Sequence, residues 1–195
     1  MDSPSPRAFW RVFPWDPAAG AGEPFSPQFV VPAERQTRGR FDLGTSPVLY
    51  LAEFPEHAVA ELLRPFTGRE LKPEHLTGAG RQLALVHVDV SPTLLARIAD
   101  LTDPAVLLRY EIHPDVLASR DRALTQHASR RLYEAGNAGF RWWSALHGDW
   151  HAHLLFLDRV APGELTYAMP ETLDITHSAV IMAARELRMT DVREP

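Results

Sequence analysis

A mixed α/β fold (α+β) is what this sequence predicts, on three observations. Short apolar runs of strand type are interspersed with segments whose apolar residues recur at helical spacing. Seventeen prolines in 195 residues fall mostly between these runs, which points to many short elements joined by turns rather than to a bundle of long helices. The regular βαβ alternation and glycine fingerprint of a doubly wound dinucleotide-binding fold do not occur in the sequence. With 45% hydrophobic and 23% charged residues, the composition is that of a globular chain long enough for one domain with its own core. Residues 9–195 therefore read as a single domain behind a loose, polar, Pro-spaced lead-in over residues 1–8.

Taken in order, Phe9-Trp10-Arg11-Val12-Phe13 alternates as a strand does and puts Arg11 on the face of Phe9 and Phe13. Residues 14–27 are loop by every breaker criterion and long enough to form a lid or a pocket rim. Residues 29–31 read as a brief strand, followed by a basic turn over residues 35–40. Val48-Leu49-Tyr50-Leu51-Ala52 is a buried strand, after which Pro55 at a first helical position starts a helix through residue 64. A helical turn at residues 73–76 interrupts the turn-rich connection of residues 65–80. The clearest strand is residues 83–90, and Ser91-Pro92 then caps a helix over residues 93–99. Periodicity leaves residues 105–110 open between helix and strand. Residues 119–135 are helical, with Ala123, Leu124, His127, Ala128, Leu132 and Tyr133 as the apolar stripe and Gly136 as the left-handed terminator. Strands follow at residues 139–144, 153–157 and 165–168, and a helix over residues 177–187 closes the chain.

Composition also excludes chemistry. A net charge of −5 lacks the dense cationic footprint that nucleic acid or an anionic membrane requires, so neither is an expected partner. No apolar run reaches the roughly 18 residues of a membrane span, and no secretory leader pattern occurs; the expected location is the cytoplasm. With no cysteine, disulfides, thiolate metal sites and a Cys nucleophile are ruled out.

Five anchors stand out by residue type and setting. Arg40 follows a glycine and can present its guanidinium fork to a phosphate or carboxylate, and Arg11 sits among aromatics. Tyr50 lies in an apolar strand, Glu61 interrupts an apolar helical stretch, and Ser144 follows Trp142 and Trp143. Taken singly, each has an ordinary structural reading: an ion pair, a packed ring, an exposed carboxylate, a turn former.

Together and in order they say more. Phe9-Trp10-Arg11-Val12, Gly39-Arg40-Phe41-Asp42, Val48-Leu49-Tyr50-Leu51-Ala52-Glu53 with Ala58-Val59-Ala60-Glu61, and Gly139-Phe140-Arg141-Trp142-Trp143-Ser144-Ala145 resemble the RES-domain family, named for its Arg, Glu and Ser. The resemblance runs over residues 9–158. It implies a fold similar to ADP-ribosyltransferases, a single compact domain with a central, largely antiparallel sheet. It also implies a toxin-type enzyme that cleaves the nicotinamide–ribose bond of NAD+ as an NAD+ phosphorylase or glycohydrolase, a glycosyltransferase-class activity. Phosphate as acceptor gives nicotinamide and ADP-ribose-1″-phosphate; water is the other acceptor. Carried over by motif, Arg40, Tyr50, Glu61 and Ser144 are the catalytic set, and Arg11, Phe41, Trp142 and Trp143 the ligand-binding set. The implied ligands are NAD+ as substrate and inorganic phosphate as co-substrate, with no further cofactor and no metal, and the implied partner is a cognate antitoxin. A homodimer stays open, as do protein ADP-ribosylation and a catalytically silent interaction module. The family's loop commonly reads Gly-Arg-Trp-Asn, so Phe41 and Asp42 are departures, the second placing an acid beside the expected phosphate-binding arginine. A competing signal is His147-Gly148-Asp149-Trp150-His151-Ala152-His153, whose alternate residues would face one way in an extended segment and could ligate a divalent metal.

Overall fold

A computed structural model of the protein describes residues 5, 7–37 and 39–190. Its elements are β1 (Arg7–Pro14), β2 (Val48–Ala52), α1 (Pro55–Leu63), β3 (Thr77–Gly78), β4 (Arg81–Val90), α2 (Pro92–Leu95), β5 (Ile98–Asp100), α3 (Pro104–Arg109), α4 (Pro114–Ala118), α5 (Arg122–Glu134), β6 (Gly139–Trp143), β7 (His151–Phe156), β8 (Leu165–Tyr167), β9 (Glu171–Thr172) and α6 (Ser178–Glu186). Most of the expected lead-in over residues 1–8 lies outside the described residues, and β1 already begins at Arg7.

Local chemistry accounts for most boundaries. Pro55, Pro92, Pro104 and Pro114 stand at helix starts, where the missing N–H costs nothing. Side chains of Ser91, Asp103, Asp121 and His177 accept a hydrogen bond from the first-turn N–H groups of α2, α3, α5 and α6. Gly136, at φ 91°, ends α5 in the left-handed region as expected. The undecided segment after Asp103 is helix α3, settled by that aspartate cap. Three expectations change. Residues 29–31 form no strand, because Val31 is largely exposed and the Phe29 carbonyl is taken by a side chain. The helix after Ser91 stops at Leu95, since Ile98–Asp100 is drawn into a parallel strand beside β6. The buried stripe of α5 is Thr125, Ala128, Ser129 and Leu132, while Leu124 is exposed.

The chain divides into two compact units, and the boundary passes through β2. Among the described residues the first unit holds residues 5 and 7, Val30–Tyr50 and Val90–Leu165, and the second Ala8–Phe29, Leu51–Asp89 and the segment from Thr166 onward. The sheet is mixed and mostly antiparallel, the class the sequence predicts. In the first unit residues 48–50 of β2 are followed by β7, β6 and β5. β6 and β7 are antiparallel from Gly139 opposite Leu155 to Trp143 opposite His151, and β5 runs parallel to β6. Phe41, Leu101, Leu132, Phe140, Trp142, Leu154 and Phe156 form its apolar cluster, each large side chain worth about 1.5–3 kcal/mol of transfer free energy.

In the second unit β4 is flanked by β3 and β1, also pairs β8 and β9, and β1 meets the end of β2 at Trp10 opposite Ala52. Helix α1 packs on α6, and Val59, Ala60 and Leu63 of the one and Val180, Ala183 and Ala184 of the other are buried. The loop over residues 14–27 is stitched to itself and to its surroundings. Asp16 accepts from the Ala18 N–H and pairs with Arg81 at 3.1 Å, Ser26 Oγ accepts from the Gly22 N–H, and the Arg81 guanidinium lies 4.4 Å from the Phe25 ring centre. Among the described residues no helix is long and apolar enough to cross a membrane.

The start of β6 leaves no room for a side chain, since a Cβ on Gly139 would come within 2.1 Å of the Leu154 carbonyl oxygen. Gly139→Ala is expected to lower the unfolding free energy by about 3 kcal/mol or more, read from the urea midpoint. A shift below about 0.5 kcal/mol would show that the strand pair yields.

Candidate active site

Two consecutive glycine-loop residues, Gly39 and Arg40, open the site. The Asp42 carboxylate, 6% exposed, folds back on its own loop and accepts from the Gly39 N–H at 2.6 Å and from the Tyr50 hydroxyl at 2.9 Å. The same hydroxyl accepts from the Phe41 N–H at 3.1 Å. This closed ring of donors explains the glycine: a Cβ at position 39 would fall 2.1 Å from Asp42 Oδ1 and 2.6 Å from the Tyr50 oxygen. Burial first, and then the negative charge of Asp42, push the Tyr50 hydroxyl far above the usual phenol range, so it stays protonated and donates.

The other side of the loop rests on helices. Arg40 Nη2 donates to the Leu117 carbonyl in α4, and its guanidinium carbon lies 5.2 Å from the Phe41 ring centre. From α5, Thr125 donates through its hydroxyl to the Arg40 carbonyl and Ser129 to the Phe41 carbonyl at 2.9 Å. Aromatic packing divides the rings of the site into two kinds. Phe41 and Trp142, 1% and 6% exposed, meet edge to face at 4.8 Å and belong to the core. Tyr50 and Trp143, each 37% exposed, keep open surface, and Tyr50 stands edge-on to Trp142 at 6.4 Å. Of the four rings expected at the site, Tyr50 and Trp143 thus keep exposed surface, while Phe41 and Trp142 are packed in the core.

Ser144 follows Trp143 directly and is buried; its N–H donates to the Trp150 carbonyl at 2.8 Å and its Oγ accepts from the Leu146 N–H at 3.1 Å. Arg40, Phe41, Tyr50, Trp142, Trp143 and Ser144 all belong to the first unit, where Arg40 meets Phe41, Phe41 meets Tyr50 and Trp142, and Tyr50 meets Trp142. Arg11 and Glu61 belong to the second. Arg11, on β1, donates to the carbonyls of Pro27 and Phe29 at 3.1 and 3.2 Å, and burial draws its pKa below the ordinary arginine value against the opposing charge of Tyr167. Here it fastens the loop that follows β1. Glu61, on α1, is 42% exposed at its side chain and lies 3.6 Å from Nε2 of the fully buried His57 one turn earlier.

The histidine-rich segment is divided between a turn and β7. His147 Nδ1 accepts from the Asp149 N–H at 3.3 Å, and His151 and His153 sit in β7 opposite Trp143 and Arg141. Burial, and then the cations Arg141 and Arg7, bring the His153 pKa down to about 3. Among the described residues no group of three or more His, Asp or Glu could hold a metal ion.

The family model of the RES domain matches residues 8–177. The chain belongs to the RES domain family. This RES domain is also similar in fold to a chain of the crystal structure of the M. tuberculosis MbcT–MbcA toxin–antitoxin complex, with a TM-score of 0.61 and 17% identity, covering 94% of this chain and 89% of that one. No curated protein matches its sequence.

Sequence reasoning singled out Asp42 only as an acid beside Arg40, without its bond to Tyr50, and missed Thr125 and Ser129 as parts of the site. A signal existed for the two hydroxyls: positions 125, 128, 129 and 132 are a helical face at i, i+3, i+4 and i+7, on which Thr125 and Ser129 alternate with Ala128 and Leu132.

Gly39→Ala is expected to break the Asp42–Tyr50 ring and cost about 1–3 kcal/mol, with an altered near-ultraviolet dichroism from the neighbouring tryptophans; an unchanged spectrum and midpoint would refute the close approach. A second expectation concerns acid. His153 has a folded pKa below the unfolded value, so its neutral burial is free of penalty above pH about 6.5. As pH falls from there toward 3 the unfolded chain takes up a proton that the folded chain does not. Stability should decline by up to about 1.4 kcal/mol per pH unit, and urea midpoints of His153→Gln between pH 7 and 5 should show a shallower decline than wild type.

Proposed function

We propose that this RES domain is a toxin-type enzyme that consumes NAD+ in the cytoplasm, cleaving the bond between nicotinamide and ribose with phosphate or water as acceptor. Membership of the family supports the reaction class, and the observation that carries it here is the arginine loop. A guanidinium on a backbone held from both sides, within electrostatic reach of a half-open tyrosine ring, suits a ligand that joins phosphates to flat heterocycles.

The chemistry asks little of a general acid. The electron pair of the glycosidic bond moves onto the pyridinium nitrogen, nicotinamide leaves neutral, and the ribose carbon gains oxocarbenium character. A phosphate oxygen then bonds to that carbon to give ADP-ribose-1″-phosphate, or water does so and ADP-ribose forms with release of a proton. In this reading the Glu61 carboxylate offsets the developing positive charge, a role it takes from its place in the family motif. Arg40 holds the pyrophosphate or the incoming phosphate, Tyr50 and Trp143 offer ring faces, and Ser144 orients the ribose. Arg11 acts in support by fixing the loop after β1. The toxin–antitoxin complex of the similar structure supports a cognate antitoxin as partner.

Incubation with NAD+, with and without phosphate, and identification of the products test the reading. Phosphate-dependent ADP-ribose-1″-phosphate marks phosphorolysis and free ADP-ribose marks hydrolysis. Label transferred to a protein would assign protein ADP-ribosylation instead, and absence of any turnover would refute the enzyme reading. Glu61→Gln is expected to lower kcat by on the order of a hundredfold or more with an unchanged melting temperature; full activity in that variant would remove Glu61 from the mechanism.

A further inference from the structure

Helix α5 meets the Gly39-Arg40-Phe41 backbone with a row of side chains. Thr125 Oγ1 donates to the Arg40 carbonyl, Ser129 Oγ donates to the Phe41 carbonyl at 2.9 Å, and Gln126 Nε2 lies 3.4 Å from the Gly39 carbonyl. Thr125 and Ser129 are both completely buried. A hydroxyl buried in a helix usually bonds back to its own helix, yet the Thr125 contacts to the carbonyls of Asp121 and Arg122 are long, 3.3 Å each, beside its bond to Arg40. The polar groups at these two core positions therefore serve the loop rather than α5. Alanine and valine would satisfy the helix equally, and would leave two buried loop carbonyls without donors.

On its other side the loop is held by Asp42, through the Gly39 N–H and the Tyr50 hydroxyl. Donors from α5 on one side and the Asp42 ring on the other set the backbone from which the Arg40 side chain departs. We infer that Thr125 and Ser129 are positioning residues for Arg40, clamping its carbonyl and that of Phe41 so that the guanidinium is presented in one geometry to an anionic ligand. The inference rests on the NAD+ reading above for the identity of that ligand, but the clamp itself does not. Neither residue touches substrate; both act through the loop.

The test compares Thr125→Val, Ser129→Ala, the conservative Thr125→Ser and, as a control on the exposed face of the same helix, Leu124→Ala. Steady-state kinetics with NAD+ and amide hydrogen exchange at Gly39, Phe41 and Asp42 are measured on each folded protein. Thr125→Val and Ser129→Ala are expected to raise KM for NAD+ on the order of tenfold and to speed exchange at the loop amides, with exchange in β6 and β7 unchanged. Thr125→Ser restores both, and Leu124→Ala alters neither. A purely structural role would instead lower kcat through loss of folded protein and leave KM as it is, which would overturn the inference. Unchanged loop exchange in both hydroxyl variants would overturn it as well. Should the wild-type protein not turn over NAD+, the functional reading falls by itself, and the exchange comparison decides the clamp: acceleration confined to the loop upholds it and uniform behaviour refutes it.

Discussion

A buried carboxylate must be satisfied or neutralised, and much of the first unit answers that requirement at Asp42. Its two oxygens take one backbone N–H and one phenol hydroxyl, both from within a dozen residues of chain. Three consequences come from this single arrangement. Position 39 has to be glycine, because the carboxylate and the phenol oxygen occupy the space of a Cβ. Tyr50 stays protonated and has its hydroxyl committed to the loop. The ring of Phe41 is directed into the aromatic cluster with Phe140 and Trp142, where its burial ties the loop to the core.

Charge and aromatic surface are thereby separated. The Arg40 backbone is hydrogen-bonded from α5 and lies between residues tied by the Asp42 ring, while the rings that keep exposed surface are Tyr50 and Trp143. In the proposed function, a planar cation held on such a backbone would cost less ordering on binding than a mobile arginine. In the second unit the same economy is visible around Arg11, which spends its donors on the loop after β1, and at Glu61, where the fully buried His57 lies one helical turn before the carboxylate. The acid that departs from the family's usual amide in the arginine loop is a structural organiser of that loop.

Much of the fold was legible because its signals are local. The strand Val48–Ala52 and the starts of α1 and α2 follow from runs of apolar residues, prolines and caps that act within a few residues. Where the reading slipped, a distant partner decided. Ile98–Asp100 became strand through its pairing with β6, and the strand expected at residues 29–31 gave way to a carbonyl capture by Arg11. In α5 two buried hydroxyls turned the stripe, since a loop 85 or more residues earlier in the chain supplies their acceptors.

The residues Arg40, Tyr50, Glu61 and Ser144 became candidates through the resemblance of their motifs to the RES-domain family, because motif order survives in the sequence whatever the packing. The sequence by itself determined the class of fold, which depends on periodicity and caps, and through the resemblance of its motifs it pointed to the family and to the polar residues that could do chemistry. Tertiary structure alone decided which aromatic rings are buried and which stay open, that Asp42 closes on Tyr50, and that Thr125 and Ser129 bear on Arg40. The physical reason is that burial and hydrogen-bond partnership belong to pairs of residues far apart in the chain, and no local pattern encodes which pair will meet.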